Sequence, residues 1–462
     1  MTSTARNDKS SDLVQSVASK PIDKYEPPLY SYKESFSDWL KHAWKYSNQD
    51  AEYNLLSSLP FFPESDGKRV AKIIDTDIGG GNFIHELYIE NIEQPSSAIT
   101  HSDTTRDVVL IHGYGAALGL FIENYDLLSS VPGIRIHAID LLGFGLSSRP
   151  SFPKLPCSTK DEVLKVEDWF IDPIEEWRKK RNLSRFNLIG HSFGGYLSCA
   201  YALKYNKKIK DDCTGEIRNL VNKLVLISPA GVPRNKYSLL KDVSNQAAIP
   251  EAKREAENKQ IATNNYSREF EDNQEDIVHN RPTDQSSDPE FLKNPSFRVK
   301  VILYLWNRHF SPLSLMRNSG PLKSRILSRW TTNKLAHVYA KDPEQFRRMH
   351  SYLYRILNAK GSGEYAITRV LEVGASPRLP LLDRCPARFV AMGLPSLWLY
   401  GDKDWMDKKA GFEMEEEINK LSQKTYSKDL AECSIISRSG HHLYLDNPNS
   451  LIKEVYKFLG YT

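Results

Sequence analysis

Gly190-His191-Ser192-Phe193-Gly194-Gly195 sets a serine between glycines at the spacing G-x-S-x-G. A hydroxyl is a poor nucleophile until a base takes its proton, so chemistry at this serine needs an imidazole and a carboxylate from elsewhere in the chain. The motif carries meaning where a strand runs into it and a helix leaves it, because only small neighbours tolerate so tight a turn. Phe186-Asn187-Leu188-Ile189 before it and Tyr196–Lys204 after it meet both conditions, which makes Ser192 the candidate nucleophile. In such sites the acid and then the histidine follow the serine along the chain. Gly401-Asp402-Lys403-Asp404-Trp405-Met406-Asp407 comes after a strand at Ser396–Tyr400, and Arg438-Ser439-Gly440-His441-His442 comes after the last strand. His441, directly behind a glycine and ahead of Pro448, is preferred to His442 as the base. Asp404 is preferred as the acid, with Asp407 as the competing choice.

His112-Gly113-Tyr114-Gly115 ends an earlier strand, and its small residues let backbone fold close to the nucleophile. The N–H groups of Tyr114 and Phe193 are therefore the candidate donors to an oxyanion. Together these groups suit attack of Ser192 on an ester carbonyl, with His441 as base and Asp404 orienting the imidazolium. The acyl group then passes to water or to another hydroxyl. This chemistry calls for no metal and no cofactor. The five cysteines form no C-x-x-C pair and are odd in number, as expected of small buried apolar residues in a reducing compartment.

The elements that must hold these residues are legible as short β-branched runs separated by helical segments. Val108–Ile111, Ile134–Ile139, Phe186–Ile189 and Leu224–Ile227 each end in a small or polar residue, the last at Ser228-Pro229. Alternating strands and helices predict an α/β fold, a mostly parallel central sheet with helices on both faces and its site beyond the carboxyl ends of the strands. Val70–Asp75 and Phe83–Ile89 read as two further strands around Gly79-Gly80-Gly81. The pattern stops after Gly231 and returns at Ser396–Tyr400, Cys433–Ile436 and a final amphipathic helix, Leu451–Leu459. The expected organisation is an N-terminal extension (1–64), a first core segment (65–235), a large helical cap insertion (236–385) and a second core segment (386–462). Residues 1–30 are polar and unpatterned, and 243–290 are dominated by Asn, Gln, Glu, Asp, Lys and Ser, so both are expected to be disordered. Aromatics from Tyr30 to Tyr53 recur at loosely helical spacing, predicting an amphipathic helix on the body of the protein or on a lipid surface.

The whole chain of 462 residues has a net charge of +4, is 40% hydrophobic and 26% charged, and contains no apolar run long enough to span a membrane. Its mean hydropathy of −0.50 implies that part of the length lies outside packed core. The N-terminus lacks the apolar stretch of a secretory signal and is a poor mitochondrial presequence, with Asp8 and Asp12 and little arginine.

Several stretches resemble one lipid-active family of α/β-hydrolase fold. They are His112-Gly-Tyr-Gly-Ala-Ala, Asp140-Leu-Leu-Gly-Phe-Gly-Leu-Ser-Ser-Arg-Pro150, Gly190-His-Ser-Phe-Gly-Gly-Tyr196, Gly401-Asp-Lys-Asp-Trp-Met-Asp407 and His441-His-Leu-Tyr-Leu-Asp446-Asn-Pro448. Gly361-Ser-Gly-Glu-Tyr-Ala366 in the cap is similar too. That family includes the fungal mitochondrial cardiolipin-specific deacylase, the lysophosphatidic acid acyltransferase paralogues, and animal relatives acting on N-acyl phospholipids or serving as lipase coactivators. The resemblance implies a serine-dependent phospholipid acyl hydrolase, deacylating cardiolipin or a similar anionic phospholipid at the inner mitochondrial membrane. Its alternatives are an acyl-CoA-dependent lysophospholipid acyltransferase, with acyl-CoA as co-substrate, and a non-catalytic lipid-surface regulator; the cytosol or a lipid droplet is the alternative location. His441-x4-Asp446 has the spacing called an acyltransferase motif in this family, although the triad reading already uses His441 and Asp446 suits a loop-orienting role. The coactivator relatives replace the elbow serine, which this chain keeps.

Phe291–Lys341 holds ten Lys or Arg and no Asp or Glu, interleaved with Phe297, Tyr304, Trp306, Phe310 and Trp330. Cations beside bulky apolar groups suit an anionic membrane surface, where each cation contributes roughly 1 kcal/mol. No nucleic-acid-binding motif accompanies the charge.

Overall fold

The computed structural model describes residues 29–44, 47–94, 105–210, 215, 217–240, 304–372 and 375–461. The expected disordered insert, and the expected N-terminal tail apart from Leu29 and Tyr30, lie outside these residues, as do Lys293, Phe297, Arg298 and Lys300. Tyr30 is docked, its ring stacked on His350 with centroids 4.1 Å apart.

Eight strands form one sheet: β1 (Arg69–Gly79), β2 (Asn82–Asn91), β3 (Asp107–Ile111), β4 (Arg135–Ile139), β5 (Phe186–His191), β6 (Val221–Ile227), β7 (Ser396–Gly401) and β8 (Ala431–Ile436). Their order is β1-β2-β4-β3-β5-β6-β7-β8. The pairs β1/β2 and β2/β4 are antiparallel, and every later pair is parallel. This is the α/β-hydrolase fold expected from the motifs. Strand side chains alternate between two cores, as a period of two requires. Val109, Ile111, Leu188, Leu224, Leu226, Trp398 and Tyr400 face one core, whereas Val108, Leu110, Ile189, Val225, Ile227, Leu397 and Leu399 face the other.

Among the described residues, the helices referred to below are α1 (Tyr32–Trp44), α2 (Asn48–Leu56), α3 (Lys160–Lys180), α4 (Phe193–Tyr205), α5 (Pro312–Arg317), α6 (Lys323–Lys334), α7 (Pro343–Asn358), α8 (Lys408–Tyr426) and α9 (Pro448–Leu459). Val166, Phe170, Ile174 and Trp177 recur near 3.6 residues along α3 and bury one stripe of it against the first core. Leu451, Ile452, Val455 and Leu459 do the same for α9 on the other face. None of the helices in the described residues is long and apolar enough to cross a membrane.

The cap rests on the core through backbone as much as through side chains. A Cβ on Gly143, at φ +80°, would lie 2.3 Å from the Gly363 nitrogen, so the two glycine-rich loops meet directly. This contact accounts for the small residues in both Asp140–Pro150 and Gly361–Ala366. Arg149 ties the same loops together by donating to the carbonyls of Ile356 and Lys360 at 3.2 and 2.8 Å. Arg317, at the end of α5, forms an ion pair with the buried Glu364.

Asp140 also anchors this region, accepting from the N–H groups of Leu118 and Leu146, each at 2.7 Å. Burial pushes its carboxyl up to about 6, partly offset by the charge of His85. His85 itself is bonded to Asp75 and Glu52, both at 2.6 Å. Burial alone would lower its pKa, but those hydrogen bonds and the charges of Glu52 and Asp140 outweigh it and raise the value from 6.5 to about 10. A raised histidine binds its proton more tightly in the folded state, so its contribution is complete below 6.5 and is lost as pH climbs through about 10. The unfolding midpoint is therefore expected to decline across that window, after Asp140 has already titrated. His85→Gln should lower the midpoint at pH 6 and flatten the decline; an unchanged slope in the variant would contradict this.

Candidate active site

Strand β5 carries the chain into Ser192 and α4 begins at the next residue. The turn is so abrupt that Ser192 takes φ 52° and ψ −116°, a conformation held only because its surroundings enforce it. The flanking glycines have specific reasons. A Cβ on Gly194 would lie 2.3 Å from the His112 carbonyl oxygen, and one on Gly190 would lie 2.4 Å from Ser198 Oγ. The elbow therefore packs against the end of β3 with no room for a side chain. From that strand comes the loop His112-Gly113-Tyr114, and a Cβ on Gly113 would stand 3.1 Å from Ser192 Cβ. Tyr114 thus follows a glycine that abuts Ser192, the candidate nucleophile, and Phe193 opens the helix beyond it, so the two candidate oxyanion donors flank Ser192.

His441 Nε2 lies 3.0 Å from Ser192 Oγ, and His441 Nδ1 lies 3.3 Å from Asp404 Oδ1. The loops after β7 and β8 bring these two together by direct backbone contact, since a Cβ on Gly401 would be 2.2 Å from the Ser439 carbonyl oxygen. Asp404 also accepts from Met406 N–H at 3.0 Å. Its burial raises the carboxyl pKa, but the bond and charge of His441 and the bonds from Ser228 and Met406 outweigh that and hold it below the usual range.

The competing choices sit elsewhere. Asp407 caps α8, accepting from Lys409 and Ala410 N–H at 3.0 and 3.4 Å. His442 turns to Tyr444 Oη at 2.8 Å and meets the Trp330 ring of the cap edge-on, with centroids 5.4 Å apart. Asp446 accepts from Gly440 N–H at 2.8 Å and so fixes the loop that presents His441.

Three further residues shape the site. His191 donates from Nε2 to the His441 carbonyl at 3.0 Å, and burial followed by the charge of His441 keeps it neutral. His112 links two loops, donating to the Gly113 carbonyl at 2.7 Å and accepting from Leu141 N–H at 3.0 Å. Burial lowers its pKa to about 4. Ser228, at the end of β6, places Oγ 2.5 Å from Asp404 Oδ2 and 2.6 Å from His441 Nδ1. No sequence motif marks Ser228; the one signal was its place at the carboxyl end of a central strand.

The cap closes over this arrangement. Tyr114 Oη meets Ser311 Oγ at 3.1 Å, and Leu313 packs over Gly115. Ser192 is left only 8% exposed.

The fold and this arrangement define an α/β-hydrolase, and the family model described as alpha/beta hydrolase fold matches residues 108–448, so the chain belongs to that family. Among its relatives, protein ECM18 of Saccharomyces cerevisiae is 30% identical over 82% of this chain and 74% of its own. The 1-acylglycerol-3-phosphate O-acyltransferase of Arabidopsis thaliana is 31% identical over 74% of this chain, and the match spans 63% of the plant protein. The (lyso)-N-acylphosphatidylethanolamine lipase of Mus musculus is 26% identical over 75% of this chain and 78% of its own. These relatives bear out the lipid-enzyme family to which the motifs pointed.

Proposed function

We propose that this protein is a serine-dependent phospholipid acyl hydrolase acting on cardiolipin or a similar anionic phospholipid through an acyl-enzyme. The observation that carries the reading is Ser192 Oγ 3.0 Å from His441 Nε2, with Asp404 behind the imidazole. His441 takes the proton of Ser192 as its oxygen attacks the ester carbonyl, while Asp404 stabilises the imidazolium. The N–H groups of Tyr114 and Phe193 receive the developing oxyanion, and His441 returns the proton to the departing lyso-lipid oxygen. Water then attacks the acyl-enzyme with His441 again as base. No cofactor enters these steps.

An anionic membrane is the proposed docking partner. Phe36, Trp39 and Leu40 form an outward-facing stripe on α1, with Leu322 of the cap also exposed. Ser35 binds the Pro321 carbonyl at 2.6 Å, so α1 and the cap present one surface. Arg308, Arg329 and Lys341 are exposed and supply cations, whereas Arg325 is engaged with the Tyr30 carbonyl at 2.7 Å and Arg317 is half-buried and paired with Glu364. Trp306 is core rather than surface. The proposed location is the inner mitochondrial membrane, supported by the resemblance to the cardiolipin-specific deacylase, with the cytosol or a lipid droplet as the alternative.

The acyltransferase reading is favoured by the name of the plant relative. In it a lyso-lipid hydroxyl replaces water and acyl-CoA is the donor; with Ser192 exposed by only 8%, exclusion of water by the cap is the variable that decides. Purified protein incubated on vesicles with labelled cardiolipin, and separately with lysophosphatidic acid and labelled acyl-CoA, separates the two. Free fatty acid in the first reaction supports deacylation. Label transferred to lysophosphatidic acid, with cardiolipin untouched, would reverse the order of preference.

A further inference from the structure

Asp404 and His441 are farther from one another, at 3.3 Å, than either is from the hydroxyl of Ser228, at 2.5 and 2.6 Å. Ser228 is fully buried and holds φ at +46°, a region that costs a side-chain-bearing residue about 1 kcal/mol or more. Its backbone N–H donates to the Leu399 carbonyl at 2.7 Å, which ties the turn after β6 to β7 and aims the side chain between acid and base.

A hydroxyl has one proton and two lone pairs. Asp404, as a carboxylate, only accepts, so the Ser228 proton goes to Asp404 Oδ2 and the Ser228 oxygen is left as an acceptor facing His441 Nδ1. That arrangement demands a proton on Nδ1, which leaves the Nε2 lone pair free to receive the proton of Ser192.

We infer that Ser228 is a positioning residue for this triad, fixing the tautomer of His441 and carrying the link between imidazole and carboxylate through its hydroxyl. The inference rests on the catalytic reading of Ser192, His441 and Asp404. No proton leaves Ser228 in the cycle: when Nε2 gains the Ser192 proton, Nδ1–H, Ser228 O–H and the Asp404 carboxylate keep their forms, and the positive charge gains a short chain of dipoles ending in an anion. The other titratable groups facing His441 are His191 from β5 and His442 from its own loop, with Lys334 of α6 bearing on His442. Burial, followed by the charge of His441, holds both of these histidines well below the ordinary value, so they stay neutral as the site titrates.

The test compares Ser228→Ala and Ser228→Gly with the full-length protein by the rate of Ser192 modification with a fluorophosphonate probe from pH 5 to 9. Losing a hydrogen bond to a charged group is expected to slow the plateau rate roughly 10- to 100-fold. The acid limb is expected to move to lower pH, because the imidazolium loses its nearest acceptor. Glycine removes the hydroxyl and also relieves the positive φ, so Ser228→Gly should be as slow as Ser228→Ala although its backbone is unstrained. Equal plateau rates in the variants and the wild type, or slower rates with an unmoved acid limb, would overturn the inference. Wild-type protein that fails to take up the probe at Ser192 would overturn the catalytic reading and this inference with it.

Discussion

Ser192→Ala is expected to lower ester hydrolysis on the order of 10⁶-fold while leaving the folded protein intact. The size follows from how the members of such a site cooperate: once the nucleophile is gone, base and acid have nothing to activate, and only the oxyanion donors and substrate binding remain. Stability is expected to hold because the strain of the elbow is imposed by the backbone. The Ser192 N–H donates to the Ile227 carbonyl at 2.9 Å and its carbonyl accepts from Ala230 and Tyr196 N–H at 3.0 and 3.1 Å, bonds that hold φ 52° and that an alanine keeps without adding bulk. The removed oxygen bonds His441 Nε2 at 3.0 Å and is not among the groups tying the loops together. Unfolding midpoint and initial rate measured on the same preparation check both halves. Residual activity above a hundredth of wild type would show that another group attacks.

The second large effect separates the two aspartates. Asp404→Asn is expected to lower kcat about 10⁴-fold, because an amide neither stabilises the imidazolium nor enforces the tautomer that leaves Nε2 free. Asp407→Ala should leave kcat within a few-fold. It removes a helix cap with bonds of 3.0 and 3.4 Å to the first turn of α8, and the expected cost is stability, about 1 kcal/mol. Rates and denaturation midpoints of the two variants give opposite patterns on this account. An inactive Asp407→Ala beside an active Asp404→Asn would reverse the assignment.

The parts of the site that could be read in the sequence are those where chemistry and backbone geometry select the same residue type. The elbow needs glycines because β3 and α4 approach to backbone contact, so the requirement shows as a motif. Strand ends were legible for a related reason: buried parallel strands are continuous β-branched runs, and their termination marks where the site lies. Ser228 is legible as a strand end but not as a partner of the acid and base, because that role depends on β6 and β7 being neighbours, and a serine before a proline has no local signature of that pairing. The partners of His85 are unreadable for the same reason. Its partners Glu52 and Asp75 are exceptional only once α2, β1 and β2 are assembled. Two cations of the basic cap have partners that the sequence does not show: Arg317 faces Glu364 and Arg325 faces the Tyr30 carbonyl, acceptors that arrive from distant segments. Asp446 matched a named spacing, yet its bond to Gly440 N–H holds the loop of His441.

The central claim is that Ser192 becomes acylated by a phospholipid. Rapid mixing with cardiolipin vesicles, acid quench and mass measurement of the peptide containing Ser192 tests it most directly. The account predicts a fatty-acyl adduct on Ser192 that forms before free fatty acid accumulates and is absent in Ser192→Ala. Fatty acid released at the wild-type rate by Ser192→Ala, or released by the wild type with the Ser192 peptide never acylated, would contradict it.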